Sequence, residues 1–559
     1  MKHILRTLCL AVTLCATAPT TATAQKESHH FDVARSLDIF NALYRDLDLY
    51  YVDTLDARRH VGDAIDYMLE QLDPYTEFYR EEDTGELKQL ATGKYAGIGS
   101  GVRYKRSEDR CVISSPFEGM PAARAGLRTG DVILAIGGRT VPPCGIQDSA
   151  AYTTSISQQL RGEPGTTFEL QVRRPATGRT YTFTLTRNNI LTPSVSLTTM
   201  VRDSVGYIRI AQFIEGTSNE VRRATGELKQ KGARRLVLDL RGNPGGLIDE
   251  AVKTVNLFIP RGREVVSTRG KVKEANRTYR TPLDPLDPDI PIAVLTDFGS
   301  ASSSEIVSGA LQDYDRALIV GQRTYGKGLV QQSRELPYKA MLKLTTGKYY
   351  IPSGRCVQAY SFKNGEPVHL PDSLAKEYLT ANGRIVKGGG GITPDLVVKA
   401  DSLPNLIYYV SASEQLFDYC VTYRNTHDSI APPEQFRLSE KEYADFCDFM
   451  TRQGFEYDRQ SLQALRTLRA VAKLEGYDTE AKDELDALEA KLRHDAGHDF
   501  RRWEKEIRRV VEAAIVGNYY YARGAEEYYL PNDPELEAAL KVLCDDEAYH
   551  KTLSGEPEP

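Results

Sequence analysis

Arg235-Leu236-Val237-Leu238-Asp239-Leu240-Arg241-Gly242-Asn243-Pro244-Gly245-Gly246 runs from an apolar segment into a polar, glycine-rich turn. A short apolar run that ends in turn residues reads as a strand buried on both faces. A helix is expected after the turn, through Val255. The pattern recurs at 292–296, Ile-Ala-Val-Leu-Thr, which leads into Gly299-Ser300-Ala301-Ser302-Ser303-Ser304-Glu305-Ile306 and a helix to about Tyr314. Further strands are expected at 205–211, 317–320 and around 341–350, with a helix over 218–231. Alternating strands and helices predict an α/β core over 191–402, whose polar turns after strand ends are where such folds build active sites.

Two of those turns carry chemistry. Ser302 sits in a small-residue turn that opens a helix. Lys327 follows 25 positions later (327 − 302 = 25) in Thr324-Tyr325-Gly326-Lys327-Gly328-Leu329-Val330-Gln331. A serine hydroxyl becomes a good nucleophile only when a base takes its proton, and a lysine serves if burial depresses its pKa. Bringing that pKa from about 10.4 toward 7 costs roughly 4–5 kcal/mol of charged-state stability, which partial burial supplies. The Gln331 amide oxygen is placed to accept from the lysine amine. A helix opening at Ser302 aims the Ser303 N–H at a developing oxyanion, and the Gly245 or Gly246 amide is the candidate second donor. Taken singly, Ser302 is also a helix N-cap and Lys327 a surface lysine; their shared position beyond buried strands favours catalysis.

Rival sites are weaker. Between residues 90 and 420 the one histidine is His369, so a histidine triad has little material. His494 and His498 have i, i+4 spacing but lack the glutamate of a zinc protease motif. Ser373 and Lys376 match a Ser-x-x-Lys pattern without its companion elements.

Upstream, Leu37, Phe40, Leu43, Tyr44 and Leu47, then Ile65, Met68, Leu69 and Leu72, recur at helical spacing and predict a helical region over 25–92. From 93 to 190 short strands alternate with glycine turns. Ala125-Gly126-Leu127, Gly130-Asp131 and Ile136-Gly137-Gly138 stand in an order that resembles a PDZ domain. Such domains take C-terminal tails by strand addition, with loop amides on the free carboxylate, and the loop at Gly97, Ile98 and Gly99 is the matching position. The residues from 403 to 559 read as a mostly helical region of open role.

At about 150 residues per domain, 559 residues predict three or four domains. A net charge of −6 with mixed signs gives no reason to expect nucleic-acid binding. The basic start, the short apolar stretch from Thr7 to Ala18 and Ala22-Thr23-Ala24 predict a signal peptide over 1–24 and an exported, most simply periplasmic, protein. No later segment is apolar enough for a membrane span. Beyond the leader, Cys111, Cys144, Cys356, Cys420, Cys447 and Cys544 are too scattered for a disulfide framework. Cys111 with Cys144 is the best local pair, and buried free thiols are the equal alternative.

The quoted stretches, with 309–313 (Gly-Ala-Leu-Gln-Asp), 344–354 (Leu-Thr-Thr-Gly-Lys-Tyr-Tyr-Ile-Pro-Ser-Gly) and 391–395 (Gly-Ile-Thr-Pro-Asp), resemble the carboxyl-terminal processing peptidases. With the PDZ the resemblance covers about residues 36 to 400. It implies a ClpP/crotonase-like core, an inserted PDZ, Ser302 as nucleophile, Lys327 as general base and Gln331 as its orienting partner. Arg161 matches a position that in some relatives couples PDZ to core. Ser303 stands where relatives often carry alanine. The implied substrates are proteins with disordered, apolar C-terminal tails, an adaptor or a second copy is an open partner, and no metal or organic cofactor is needed. A different class of protein, a catalytically silent PDZ scaffold, is disfavoured by the intact serine, lysine and glutamine.

Overall fold

The computed structural model describes residues 18–85, 92–146, 148–371, 373, 375–399, 403–492 and 496–555. Most of the expected signal peptide, His494 and part of the Ser373 motif lie outside the described residues. The chain divides into two compact units, residues up to 78 with 362–366, and 79–361 with 367–559. Among the described residues no helix is long and apolar enough to cross a membrane.

The first unit holds helices α1 (Ala18–Tyr50) and α2 (Ala57–Glu70). Asp56 caps α2 by accepting the Arg59 N–H at 3.2 Å. The break in helical spacing at Asp73-Pro74-Tyr75-Thr76 falls just after α2, which ends at Glu70. The Asp73 carboxylate accepts the N–H groups of Tyr75 and Thr76 at 2.9 and 3.0 Å, so a side chain closes a turn there.

In the second unit the PDZ-like portion comprises β1 (Lys94–Gly97), β2 (Ser100–Lys105), β3 (Arg110–Pro116), α3 (Pro121–Ala125), β4 (Val132–Ile136), α4 (Ser149–Leu160), β5 (Thr167–Arg173), β6 (Thr180–Thr186) and β7 (Asn188–Leu191). Its sheet runs β2-β3-β4-β5-β6, and β1 pairs with β7. Ile98, Ile113, Ile133, Leu160, Leu170 and Leu185 fill its core. Buried Asp131 is held by Arg174 through two 2.8 Å bonds, a fork on carboxylate that pins the start of β4.

The core follows as β8 (Val195–Arg202), β9 (Val205–Ile210), α5 (Thr217–Gln230), β10 (Arg235–Asp239), α6 (Ile248–Val255), β11 (Glu264–Gly270), β12 (Arg277–Arg280), β13 (Ile292–Thr296), α7 (Ser303–Asp313), β14 (Leu318–Gly321), β15 (Leu329–Glu335), β16 (Met341–Tyr350) and β17 (Leu396–Val397). The main sheet has the order β8-β9-β10-β13-β14-β17. β8 is antiparallel to β9 and the remaining pairs are parallel, with Leu236 opposite Ile292 and Ala293 opposite Leu318. The turns after β10, β13 and β14 therefore open along one edge. A second, antiparallel sheet, β12-β11-β16-β15, was legible only at β16. The sequence of β15, Leu-Val-Gln-Gln-Ser-Arg-Glu, has no clean alternation, and its half-exposed course explains why.

A parallel sheet must be covered on both faces. Helices α5, α6 and α7 cover one, with Val221, Leu228, Val252, Ile306 and Leu311 packed on Ile208, Leu238 and Val294. The other face is covered from the far end of the chain. The C-terminal region folds as α8 (Asn405–Ala412), α9 (Glu414–Thr426), α10 (Glu440–Arg452), α11 (Gln460–Glu475), α12 (Lys482–Leu492), α13 (Ala496–Arg502), α14 (Glu504–Tyr529), α15 (Pro534–Leu543) and α16 (Asp546–Ser554). Leu536, Leu540 and Leu543 of α15 and Tyr549 and Leu553 of α16 pack on Tyr207, Val237, Leu295 and Val320. The Tyr549 hydroxyl donates to the Ile292 carbonyl at 3.1 Å and accepts its N–H at 3.0 Å. The last two helices of the C-terminal region thus pack on the α/β core. The preceding helices form a bundle of their own around Phe446, Phe500, Ile507 and Val511. It meets the PDZ through α9, where Lys105 Nζ bonds Asp418 Oδ1 at 2.6 Å and the Arg103 guanidinium lies over the Phe417 ring.

Leu540 is 1% exposed, so Leu540→Ala leaves a cavity under the main sheet. The expected loss is about 2–5 kcal/mol, read by urea unfolding followed on the whole chain. An unchanged midpoint would mean that α15 is not part of the core.

Candidate active site

Ser302 ends the turn after β13 and caps α7 in a backbone conformation, φ 54° and ψ −111°, that a non-glycine residue seldom adopts. Such a strand-to-helix turn throws the serine side chain clear of the sheet. The turn is held from below: the Ala301 N–H donates to the Asn243 carbonyl at 3.0 Å, and the Ser304 hydroxyl to the same oxygen at 2.9 Å. Glycine is required beside it. A Cβ on Gly245, where φ is +101°, would stand 2.7 Å from Ser302 Cβ and 2.9 Å from the Ser303 nitrogen. The two turns read separately from the sequence therefore pack directly on each other.

Of the proposed oxyanion donors, the Ser303 N–H has no hydrogen-bond partner among the described residues, while its hydroxyl donates to the Gly246 carbonyl at 2.9 Å. The Gly245 N–H is engaged, donating to Asn243 Oδ1 at 2.9 Å, which corrects the expectation that either glycine amide is available. Of the two glycines, Gly246 has the N–H left open among the described residues, since the bridge to Phe213 uses the Gly245 carbonyl as acceptor and the Leu247 N–H as donor.

Lys327 lies half-buried in the loop after β14. Its flanking glycines are places of close approach: a Cβ on Gly326 would meet Ala359 Cβ at 2.4 Å, and one on Gly328 the Gln358 nitrogen at 2.8 Å. Gln358 Oε1 accepts the Gly328 N–H at 2.7 Å. Gln331 stands on β15, where its Nε2 donates to Thr345 Oγ1 at 3.1 Å.

The residue that joins the two loops is Glu305, which sequence reasoning passed over. Fully buried in the first turn of α7, it accepts the Ser302 N–H on Oε2 and the Lys327 N–H on the same oxygen, both at 2.8 Å. Its Oε1 accepts the Gly326 N–H at 2.8 Å and the Thr324 hydroxyl at 2.6 Å. Thr324 Oγ1 in turn accepts the Ile392 N–H at 2.7 Å, tying in the 391–395 motif. Burial lifts the Glu305 carboxyl from 4.5 to about 6, although all four donors pull the other way. The Ser-x-x-Glu spacing of a capping box was the signal available for it. Tyr349, also missed, is buried and donates to the Ser302 carbonyl at 3.2 Å; burial raises its hydroxyl well above the usual range.

Gly97, Ile98 and Ser100 lie elsewhere, lining a groove of about 560 Å³ between β2 and α4 that also includes Val102, Phe117 and Ser157. Gly99, at φ +69°, packs on Met120 beside it. Arg161, at the end of α4, lines the groove with its guanidinium 5.0 Å over the Tyr95 ring. Ser302 does not line this space. His369 is exposed and stands edge-on to Tyr360. The six cysteines among the described residues are free thiols, Cys111 and Cys144 included. No group of side chains among the described residues is arranged to hold a metal.

A family model described as peptidase family S41 matches residues 204–367, a PDZ domain model 99–189, and a model of the C-terminal helical domain of PDZ-proteases 406–543. A carboxy-terminal-processing protease of Bartonella bacilliformis is 33% identical over 353 residues, covering 62% of this chain and 78% of that one. The chain belongs to the carboxy-terminal-processing protease family. A "Probable CtpA-like serine protease" of Staphylococcus aureus is 34% identical over 60% of this chain, and the match spans 65% of that relative's length. Among solved structures, the photosystem II D1 C-terminal processing protease is 28% identical, covering 65% of this chain and 87% of that one. Its TM-score of 0.34 is too low for the superposition to carry an argument. The Ser302 and Lys327 loops both lie in the part matched by the S41 model.

Glu305→Gln keeps the volume but sets an N–H₂ donor against backbone N–H groups, at a cost of about 1–3 kcal/mol. Any activity that depends on the two loops should fall by roughly 10²-fold or more. The parent's stability carries a proton signature as well. Because the folded pKa lies above the unfolded one, the folded state keeps a proton between about pH 4.5 and 6 that the unfolded chain has released. The stabilisation is complete below that window and declines through it as pH rises, by about 2 kcal/mol. Urea unfolding across the window should show this component in the parent and lack it in Glu305→Gln. Parallel pH profiles would mean that Glu305 does not titrate there.

Proposed function

We propose that this protein is an exported serine endopeptidase that takes the C-terminal tails of protein substrates in its PDZ groove and cleaves them with a Ser302/Lys327 dyad. The observation that carries the reading is the Glu305 carboxylate, which draws the Ser302 and Lys327 loops together through N–H bonds to both. Neutral Lys327 takes the Ser302 proton as Oγ attacks the scissile carbonyl, and returns it to the leaving amine. Gln331 orients the lysine amine through its amide oxygen. The tetrahedral oxyanion is met by the Ser303 N–H and the Gly246 N–H, both without partners among the described residues. We also read the core as ClpP/crotonase-like, a reading supported by its parallel strands with loops gathered at one edge.

Tail capture is supported by the groove beside the free edge of β2, where an extended peptide would add as a strand with its carboxylate toward Gly97, Ile98 and Gly99. Arg161 is the cation in that groove. Unfolded proteins with free, apolar C-termini are the proposed substrates, and the leader-like N-terminus supports a periplasmic setting.

The decisive assay is cleavage of an unfolded protein with an apolar C-terminus by the mature chain, by Ser302→Ala and by Lys327→Ala. The parent should cut, and both variants should lose at least about 10³-fold in rate while keeping the parental circular dichroism. Amidating the substrate's C-terminus should raise KM with little effect on kcat. Normal cutting by Lys327→Ala would sink the dyad, and binding without cutting by the parent would favour the scaffold reading.

A further inference from the structure

A second carboxylate spans the same two loops. Glu535, in the first turn of α15, accepts from Arg241 Nη1 at 2.5 Å and from Gln322 Nε2 at 3.0 Å. Arg241 opens the turn that contains Gly245 and Gly246. Gln322 follows β14, five residues before Lys327 (327 − 322 = 5). Asp533, the N-cap of α15, holds the same guanidinium as a fork, with Nη1 at 2.9 Å and Nη2 at 2.6 Å. Asp239, fully buried at the end of β10, takes Arg241 Nε at 3.0 Å and Nη2 at 2.6 Å, as well as the Arg241 N–H at 2.9 Å.

Helix capping explains part of this. Asp533 Oδ1 accepts the N–H groups of Glu535 and Leu536, as an N-cap should. Capping does not require a guanidinium between three carboxylates, nor a glutamate that touches two separate loops. The side chains of Arg241, Asp533 and Glu535 are 14%, 9% and 14% exposed, so the network is far better shielded than a surface pair. Planar fork geometry fixes direction as well as distance. From Arg241 the constraint passes along a short run: the Gly242 N–H bonds Asp297 Oδ1 at 2.8 Å, and the Asn243 carbonyl receives the Ala301 N–H beneath Ser302. From Gln322, just past the end of β14, it passes to the end of β13, where the Thr296 hydroxyl donates to the Gln322 carbonyl at 3.0 Å.

We propose that Asp533 and Glu535 are positioning residues of the peptidase site, setting the Gly245-Gly246 turn and the Lys327 loop in register through Arg241 and Gln322. Helix α15 is then a working part of catalysis. The inference rests on the peptidase reading above.

The test uses the full chain and a quenched fluorescent peptide with a free apolar C-terminus. kcat, KM and Tm are measured for the parent, Asp533→Asn, Glu535→Gln, Glu535→Asp and Glu537→Gln. Glu537, on the exposed side of α15 with Arg202, is the control. Well below their melting temperatures, Asp533→Asn and Glu535→Gln should lose about tenfold or more in kcat with KM within about twofold, the pattern of a contact felt in the transition state. Glu535→Asp should recover part of the loss, and Glu537→Gln should match the parent. Parental kcat in both Asp533→Asn and Glu535→Gln would overturn the inference, as would a rate loss that only follows the unfolded fraction. A parent that cuts equally well after Ser302→Ala would instead sink the peptidase reading, and this inference with it.

Discussion

The buried carboxylate of Glu305 is the contact on which the site depends. Neither of the loops it joins could hold its shape alone: Ser302 is strained, and the Lys327 loop is rich in glycine. An ionised carboxylate with four donors is the compact acceptor that can bind both backbones at once. Its position on α7 follows from helix geometry, because a residue at the third helical position reaches back to the N-cap amide. The cost is desolvation, visible in the raised pKa. The gain is that the serine turn and the lysine loop are fixed to one rigid group instead of being positioned by two flexible side chains.

Around that contact the fold is arranged to keep the strand ends still. The parallel sheet supplies the edge on which all three turns sit, and both of its faces are sealed. One cover comes from helices local in sequence. The other, α15 and α16, arrives after more than a hundred residues of separate helical bundle, so that the last turns of the chain complete the first layer of the core. The same bundle holds the PDZ through Lys105 with Asp418 and Arg103 over Phe417, contacts on the very strand that borders the groove. Occupancy of the groove and the setting of the bundle therefore share a structural element.

Much of this was legible in the amino-acid sequence. Apolar runs such as 235–240 and 292–296 mark strands buried on both faces because few other structures bury every side chain in succession. The serine and lysine turns were readable because glycine and small residues cluster where backbones come close, as Gly245, Gly326 and Gly328 do. Strands β11, β12 and β15 were not: β12 and β15 are partly to largely exposed and carry mixed side chains with no firm period, and in β11 the buried Val265, Val266 and Thr268 do not alternate cleanly with its other residues. Glu305 was quoted but unassigned, because an acid in a first helical turn has an ordinary use as a capping partner.

The sequence by itself determined the order of the main-sheet strands and their covering helices, the place of the serine and lysine turns and the family resemblance, since each depends on local pattern. Tertiary structure alone decided three other matters: which glycine amide stays open, that one glutamate bonds both loops, and that the C-terminal helices roof the sheet. The first turns on where the Asn243 side chain points, which spacing does not record; the other two depend on contacts between residues tens to hundreds of positions apart, and sequence spacing carries no record of distance once the chain has crossed from one layer to another.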